Sequence, residues 1–253
     1  MRLMRSIAVA FSMFSAVPMP QVVWDKASMR YALLAFPLVG CLIGLLIWGW
    51  VSLCSALAIS PLVRALGLTL LPVVVTGGLH IDGFCDTWDA LSSRREPERM
   101  YEILKDPHIG AFGVLHLALL LLATFVLWAE LPTVPIWPVA LGFVLSRSLC
   151  ALAVASFPLR PGAGLARAFA EGADRRLVAW GSGAIAVMVS VLMCLAGAWG
   201  MVAVAGVVFA LYRLVIVRRF GGLSGDLSGW LVQTVELWML VGLYAMQVMG
   251  VVA

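Results

Sequence analysis

The chain has 253 residues, 63% of them hydrophobic and only 12% charged, with 17 Lys and Arg against 13 Asp and Glu for a net charge of +4. A mean hydropathy of +1.04 is more than a water-soluble surface can carry, which excludes a soluble globular domain. The apolar stretches are continuous and not alternating, which excludes a β-barrel and leaves an all-α, polytopic membrane protein.

Chain order then supplies the elements. Residues 1–20 place Arg2 and Arg5 ahead of an apolar run that ends at Pro18 and Pro20, without an A-x-A-like cleavage site. The reading is an interfacial helix, not a cleaved leader. Crossing the roughly 30 Å hydrocarbon core takes about 20 apolar residues. On that measure about seven transmembrane helices are expected, over 31–59, 63–79, 111–130, 136–157, 177–198, 200–217 and 230–252. Together they make one integral membrane domain over 1–253.

With the N-terminus in the cytoplasm, fourteen of the seventeen basic residues fall on one side and the opposite connections contain none. Such asymmetry over short loops sets orientation. It predicts a bacterial inner-membrane protein with its N-terminus and long loops, 80–109, 158–176 and 218–229, in the cytoplasm. A site is expected there, at the ends of the spans. The pI near 9.0 fits lipid head groups better than nucleic acid, because the basic residues are spread over several loops without aromatic interleaving. The five cysteines show neither CxxC spacing nor an even framework and read as core fillers.

Seven of the thirteen acidic residues lie in one polar stretch from Thr76 to Gly113. If 80–90 is helical, Asp82, Asp86 and Asp89 stand at i, i+4 and i+7 on one face. Their mutual repulsion is relieved by a divalent cation with oxygen ligands, and Mg²⁺ is usually held by one or two carboxylates plus substrate phosphates. A solvated acidic loop is the plainer alternative. Against it stand the adjoining His80 and glycines, and the interleaved Ile81, Phe84, Trp88 and Leu91, which suit a half-buried helix. Glu96, Glu98 and Glu102 alternate with Arg94, Arg95 and Arg99 as on a solvated helix, starting at Glu96-Pro97 and stopping near Asp106-Pro107.

A second candidate is the run from Arg218 to Asp226, RRFGGLSGD. Its glycines let backbone N–H groups converge on an anion, and its arginines, Ser224 and Asp226 could serve phosphate or metal. Within the spans, Arg147 is a functional candidate because an unpaired buried guanidinium is costly. A structural pair of Glu236 with either Arg147 or Arg213 is an equal alternative.

These residues together resemble the cobalamin synthase family, the adenosylcobinamide-GDP ribazoletransferases, over nearly the whole chain. The resemblance is carried by TGGLHIDGFCDTWDAL, EILKDPHIGAFG, Ser146-Arg147 and GGLSGD with Glu236. The chain departs from the family pattern at Ala16 and at Pro107-His108, where arginine is usual, and at Ala90 in place of glycine. The resemblance implies a bacterial membrane enzyme that requires Mg²⁺. It would join α-ribazole or its 5′-phosphate to adenosylcobinamide-GDP and release GMP, late in coenzyme B12 formation.

The residue pattern and the resemblance together assign metal binding to Asp82, Asp86 and Asp89. Phosphate binding falls to Lys105, Arg147, Arg219, Gly222, Ser224 and Gly225, and proton acceptance to His80 or Asp226. Homo-oligomerisation or association with other corrinoid-pathway enzymes is compatible with this reading. The competing readings are an enzyme like the CDP-alcohol phosphotransferases, a transporter lined by Arg147, Arg213 and Glu236, and a non-catalytic scaffold.

Overall fold

The computed structural model describes residues 2–131, 135–160 and 164–251. Among these residues the regular structure is all helix, with one isolated β-bridge between Leu159 and Leu223. It opens with α1 (Arg2–Phe14) and the single turn α2 (Lys26–Met29). Asp25 caps α2 by accepting from the Ser28 N–H at 2.7 Å, while the Asp25 N–H donates to Ser28 Oγ at 2.9 Å. The apolar helices follow: α3 (Ala32–Ala56), α4 (Pro61–Thr76) and, after two short helices, α7 (Ala111–Glu130) and α8 (Ile136–Ser156). The short pair is α5 (Leu79–Ser92) and α6 (Pro97–Ile103). The chain closes with α9 (Gly164–Gly172), α10 (Arg175–Leu195), α11 (Trp199–Phe220) and α12 (Gly225–Val248).

Six of these helices, α3, α7, α8, α10, α11 and α12, are long and apolar enough to cross a membrane. The protein is therefore a multi-pass helical membrane protein. The expected seventh span is the shorter α4, which breaks from α5 through a 94° bend. Gly77 and Gly78 make that bend, with φ of 61° and 80°, a left-handed backbone that a side chain would oppose. The bend takes α5 out of the span direction. Its first turns meet the start of α12 and its last turn meets the start of α7, so α5 lies across one end of the bundle.

The bundle is organised on α8. In its most apolar stretch 72% of residues are buried, against 17% for α7. Close approach of α3 to α8 depends on small residues: a Cβ on Gly44 would come within 2.9 Å of the Ala140 carbonyl oxygen. In lipid, where apolar helices gain little by leaving the solvent, such contacts are the main source of association. At the opposite end of the bundle Arg64 Nη2 donates to the Leu131 carbonyl at 2.8 Å, and Gln247 Nε2 to that of Glu130 at 2.9 Å.

Three expectations are refined. The N-terminal segment is a helix, but it is tucked against the bundle: Val9 and Ala10 are fully buried, Phe14 lies 4.2 Å from Phe36 of α3, and the Ala16 N–H donates to Val75 of α4 at 2.8 Å. The 80–109 and 218–229 connections are mostly helix, leaving only 221–224 between α11 and α12. Pro97 does start α6, at the position where its missing N–H costs nothing, but that helix stops at Ile103, short of Asp106-Pro107.

Candidate active site

The site grows from the crossing of α5 and α12. A Cβ on Gly83 would come within 2.5 Å of the Asp226 carbonyl oxygen, and one on Gly229 within 3.0 Å of the His80 carbonyl oxygen. Glycine at both positions lets the two backbones touch, which brings His80 and Asp82 of α5 against Asp226 of α12. Ser224 caps α12 by accepting from the Leu227 N–H at 3.4 Å and fixes where that helix begins.

Beside this crossing lies a cavity of about 300 Å³. Its polar wall carries His80, Asp82, Tyr101, Lys105, Ser224 and Asp226, and its other wall is apolar, with Phe14, Phe36 and Phe169. His80 is 4% exposed, its ring centre is 5.6 Å from that of Phe36, and its Nδ1 has no hydrogen-bond partner.

The three aspartates of α5 have different surroundings. Asp86 is half-buried, and its carboxyl is pushed up to about 7, first by burial and then by the charges of Asp82, Asp226, Asp89 and Asp106. That is the crowding a bound cation would relieve. Asp89, in contrast, accepts from the Gly110 N–H at 2.7 Å and the Gly113 N–H at 2.9 Å, so both its oxygens cap the start of α7. Glycine at 110 and 113 makes room for the carboxylate, since a Cβ at either would collide with it. Among the described residues no three His, Cys, Asp or Glu side chains form a ready-made metal cage. The donor set fits Mg²⁺ all the same. This ion needs only one or two carboxylates when substrate phosphates complete its shell, and the oxygens of Asp82 and Asp86, with Asp226 opposite, are of that kind.

The remaining candidates are scattered. Lys105 lines the cavity, with Nζ 4.4 Å from the centre of the Tyr101 ring. Ser224 and Gly225 line it as well. Gly222 does not: with φ of 145° it packs against 158–160, where Arg160 N donates to the Leu223 carbonyl at 3.1 Å and Leu223 N to that of Pro158 at 2.9 Å. Arg219 is exposed at the end of α11 and does not reach the cavity.

Arg147 is fully buried and ion-paired with Glu236, and of the two pairings open to that glutamate this is the one formed. Ser146 Oγ ties the pair, donating to Glu236 at 2.8 Å and accepting from Arg147 Nη1 at 2.9 Å. Nε and Nη2 of Arg147 have no partner.

Some residues of this site carry no signal in the sequence. Arg160 lies 4.2 Å from the Tyr101 ring centre, so that ring contacts two cations, and Arg160 also donates to the carbonyls of Phe220 and Pro97. These contacts of Arg160 join residues 59 to 63 positions apart, and no local pattern announces them. Phe14 reads as part of the apolar face of an interfacial helix and Phe169 falls in the 158–176 stretch expected as a loop, which instead holds α9, so neither is marked as a cavity residue.

A multi-pass helical bundle whose end holds an acid-lined cavity with one lysine, beside a crowd of aspartates, has the makings of a membrane enzyme that handles a charged substrate. The chain belongs to the Cobalamin-5-phosphate synthase family, whose model matches residues 6–244, and it is a transferase of cobalamin biosynthesis. It is 35% identical over 242 residues to an adenosylcobinamide-GDP ribazoletransferase of Lachnoclostridium phytofermentans, covering 94% of this chain and 92% of the relative. Proteins of the same name from Pseudomonas putida KT2440 and Stutzerimonas stutzeri are 40% and 36% identical. The first match covers 84% of this chain and 86% of the relative, the second 96% and 97%. No solved structure matches the chain.

Proposed function

We propose that this protein joins α-ribazole, or its 5′-phosphate, to adenosylcobinamide-GDP, forming adenosylcobalamin or its 5′-phosphate and releasing GMP. The observation that carries the reading is the meeting of Asp82 and Asp226 with Lys105 in one cavity at the end of the bundle. In the reaction the ribazole 3′-hydroxyl oxygen bonds to the phosphorus attached to cobinamide, and the bond from that phosphorus to GMP breaks. The hydroxyl proton passes to the Asp226 carboxylate, or to His80, whose ring is pushed down to about 3, first by burial and then by the charge of Arg147, and is the weaker acceptor of the two. Lys105 pairs with phosphate oxygens, and the apolar wall excludes water from the reacting atoms. Asp82 and Asp86 would hold Mg²⁺ together with substrate phosphate, and the ion supplies positive charge where the pyrophosphate is cleaved. Asp89 holds α7 against α5 and so steadies the other two aspartates.

The crowding of basic residues at the same end supports placing this site on the cytoplasmic face of a bacterial inner membrane. The test is GMP release by the purified chain in detergent, given adenosylcobinamide-GDP with α-ribazole or its 5′-phosphate. Release that requires both the acceptor and Mg²⁺ is expected; no release with either acceptor would sink the reading.

A further inference from the structure

The cavity has two chemically distinct halves. Its polar half is built by α5, α12, Tyr101 of α6 and Lys105 just beyond it. Its apolar half is built by α1, α3 and α9 with Val154 of α8, and there the Phe14 ring centre lies 4.2 Å from that of Phe36 and 5.4 Å from that of Phe169, and Trp24 stands edge-on to Phe169 at 5.9 Å. His80 stands where the halves meet, its ring on Phe36 and its chain position two residues from Asp82. We infer that the aromatic half, built by Phe14, Phe36 and Phe169, is the binding site for the heteroaromatic base of the nucleoside acceptor. The inference rests on the proposed reaction and adds which substrate enters the cavity, and which way round.

Size and polarity carry the argument. About 300 Å³ is at the lower end of small-molecule pockets. It admits a nucleoside and leaves a corrinoid macrocycle outside. Two nucleosides compete for the space, the ribazole acceptor and the guanosine of the donor. Guanine carries N–H and C=O groups along its edges, and a floor of Met13, Phe14, Leu33, Phe36 and Phe169 offers them no partner. A dimethylbenzimidazole base has no exocyclic polar group, and its flat face suits tilted phenyl rings. Seated there, the base directs its ribose toward His80, Asp82 and Asp226 on the polar half. A 5′-phosphate or the incoming pyrophosphate then falls to Lys105 and the aspartates. The three aromatic residues act as positioning groups: they set the depth at which the ribose hydroxyl stops.

The experiment uses the full chain in detergent and two readouts, equilibrium binding of α-ribazole alone and steady-state KM for each substrate. Phe169→Ala should weaken α-ribazole binding about tenfold, the scale of losing one aromatic face from a stacked base. It should raise the KM for α-ribazole by a similar factor and leave that for adenosylcobinamide-GDP unchanged. Guanosine should not displace bound α-ribazole. Phe169→Leu, which keeps apolar volume while removing the ring, should show the same selective loss if the alanine variant fails to fold. A rise in the adenosylcobinamide-GDP KM instead, competition by guanosine, or no change in either constant would overturn the inference. Turnover by the unaltered chain separates the two readings: GMP release with a normal α-ribazole KM in both variants sinks the base site alone, and its complete absence sinks the reaction.

Discussion

Gly83 rests on the backbone of Asp226, so closely that the smallest side chain would bring a Cβ to within 2.5 Å of the aspartate's carbonyl oxygen. The contact joins two helices 143 positions apart in the chain and holds Asp82 and Asp226 on one cavity.

Gly83→Ala should therefore separate α5 from α12. Overpacking of this kind costs about 1–3 kcal/mol, to be seen as a lower midpoint of thermal unfolding in detergent together with loss of turnover. Gly206→Ala, where nothing lies within 4 Å of an added Cβ, is the matched control and should leave both unchanged. Equal behaviour of the two variants would mean that the crossing is not needed.

The aspartates of α5 should divide on mutation. Asp82→Asn and Asp86→Asn are expected to remove most turnover with little change in unfolding. Asp89→Ala should lose about 1–2 kcal/mol of stability, because two N–H groups at the start of α7 lose their acceptor. Its residual activity should keep the normal Mg²⁺ requirement. An Asp89→Ala enzyme of full stability with a raised Mg²⁺ requirement would return Asp89 to the metal.

Asp86 gives metal binding at the site a pH dependence. Its carboxyl is pushed up to about 7, so below that pH a proton must leave before a cation binds. The Mg²⁺ concentration for half-maximal rate should rise as pH falls from 7 to 6, and that rise should vanish in Asp86→Asn. For stability without metal the sign is opposite. The folded chain holds this proton over a range where the unfolded chain has lost it, so the contribution is fully present near pH 4 and is lost as pH rises through about 7. Added Mg²⁺ should restore stability most at the alkaline end. A pH-independent Mg²⁺ requirement would contradict this account.

The Arg147–Glu236 pair should be worth far more broken than replaced. Glu236→Leu leaves a buried guanidinium uncompensated and is expected to destabilise by about 3–5 kcal/mol, while Arg147→Met with Glu236→Leu together should cost much less. Unfolding of the two single variants and the double, in one detergent, measures the coupling. Additive losses would show that the pair does not act as a unit.

Orientation is open to a labelling test. In a background without native cysteines, Ser93→Cys should react only with a reagent on the cytoplasmic side and Ser60→Cys, at the other end of the bundle, only from outside. Opposite results would turn the site to the other face.

Much of this architecture was legible in the sequence because lipid imposes a plain rule: continuous apolar runs of sufficient length become helices. The acid face of α5 followed from spacing alone, and Pro97 marked the start of α6. Spacing gives a helix face but not what that face meets, so nothing local distinguished Asp89, which caps α7, from Asp82, which lines the cavity. For the same reason Glu236 had two possible basic partners until the packing of α8 against α12 selected Arg147. Arg219 sits beside a glycine-rich turn, a pattern that suits a phosphate ligand, yet that turn folds onto residues 158–160. The aromatic half of the cavity was hidden because the N-terminal segment reads as an interfacial helix and 158–176 as a loop, and only folding brings Phe14 against both Phe36 and Phe169.

The unequal burial of α7 and α8 has a consequence for how this chain can vary. With only 17% of its apolar stretch enclosed, α7 turns most of its surface to lipid, which does not distinguish Leu from Ile, Val or Phe. Exchanges among these should pass through α7 nearly unselected. On α8, 72% enclosed, each exchange alters a volume fixed by several neighbours at once. A library randomised among apolar residues should therefore return functional clones from the outer positions of α7 at high frequency and from α8 rarely, with two adjacent stretches of similar hydropathy drifting at very different rates.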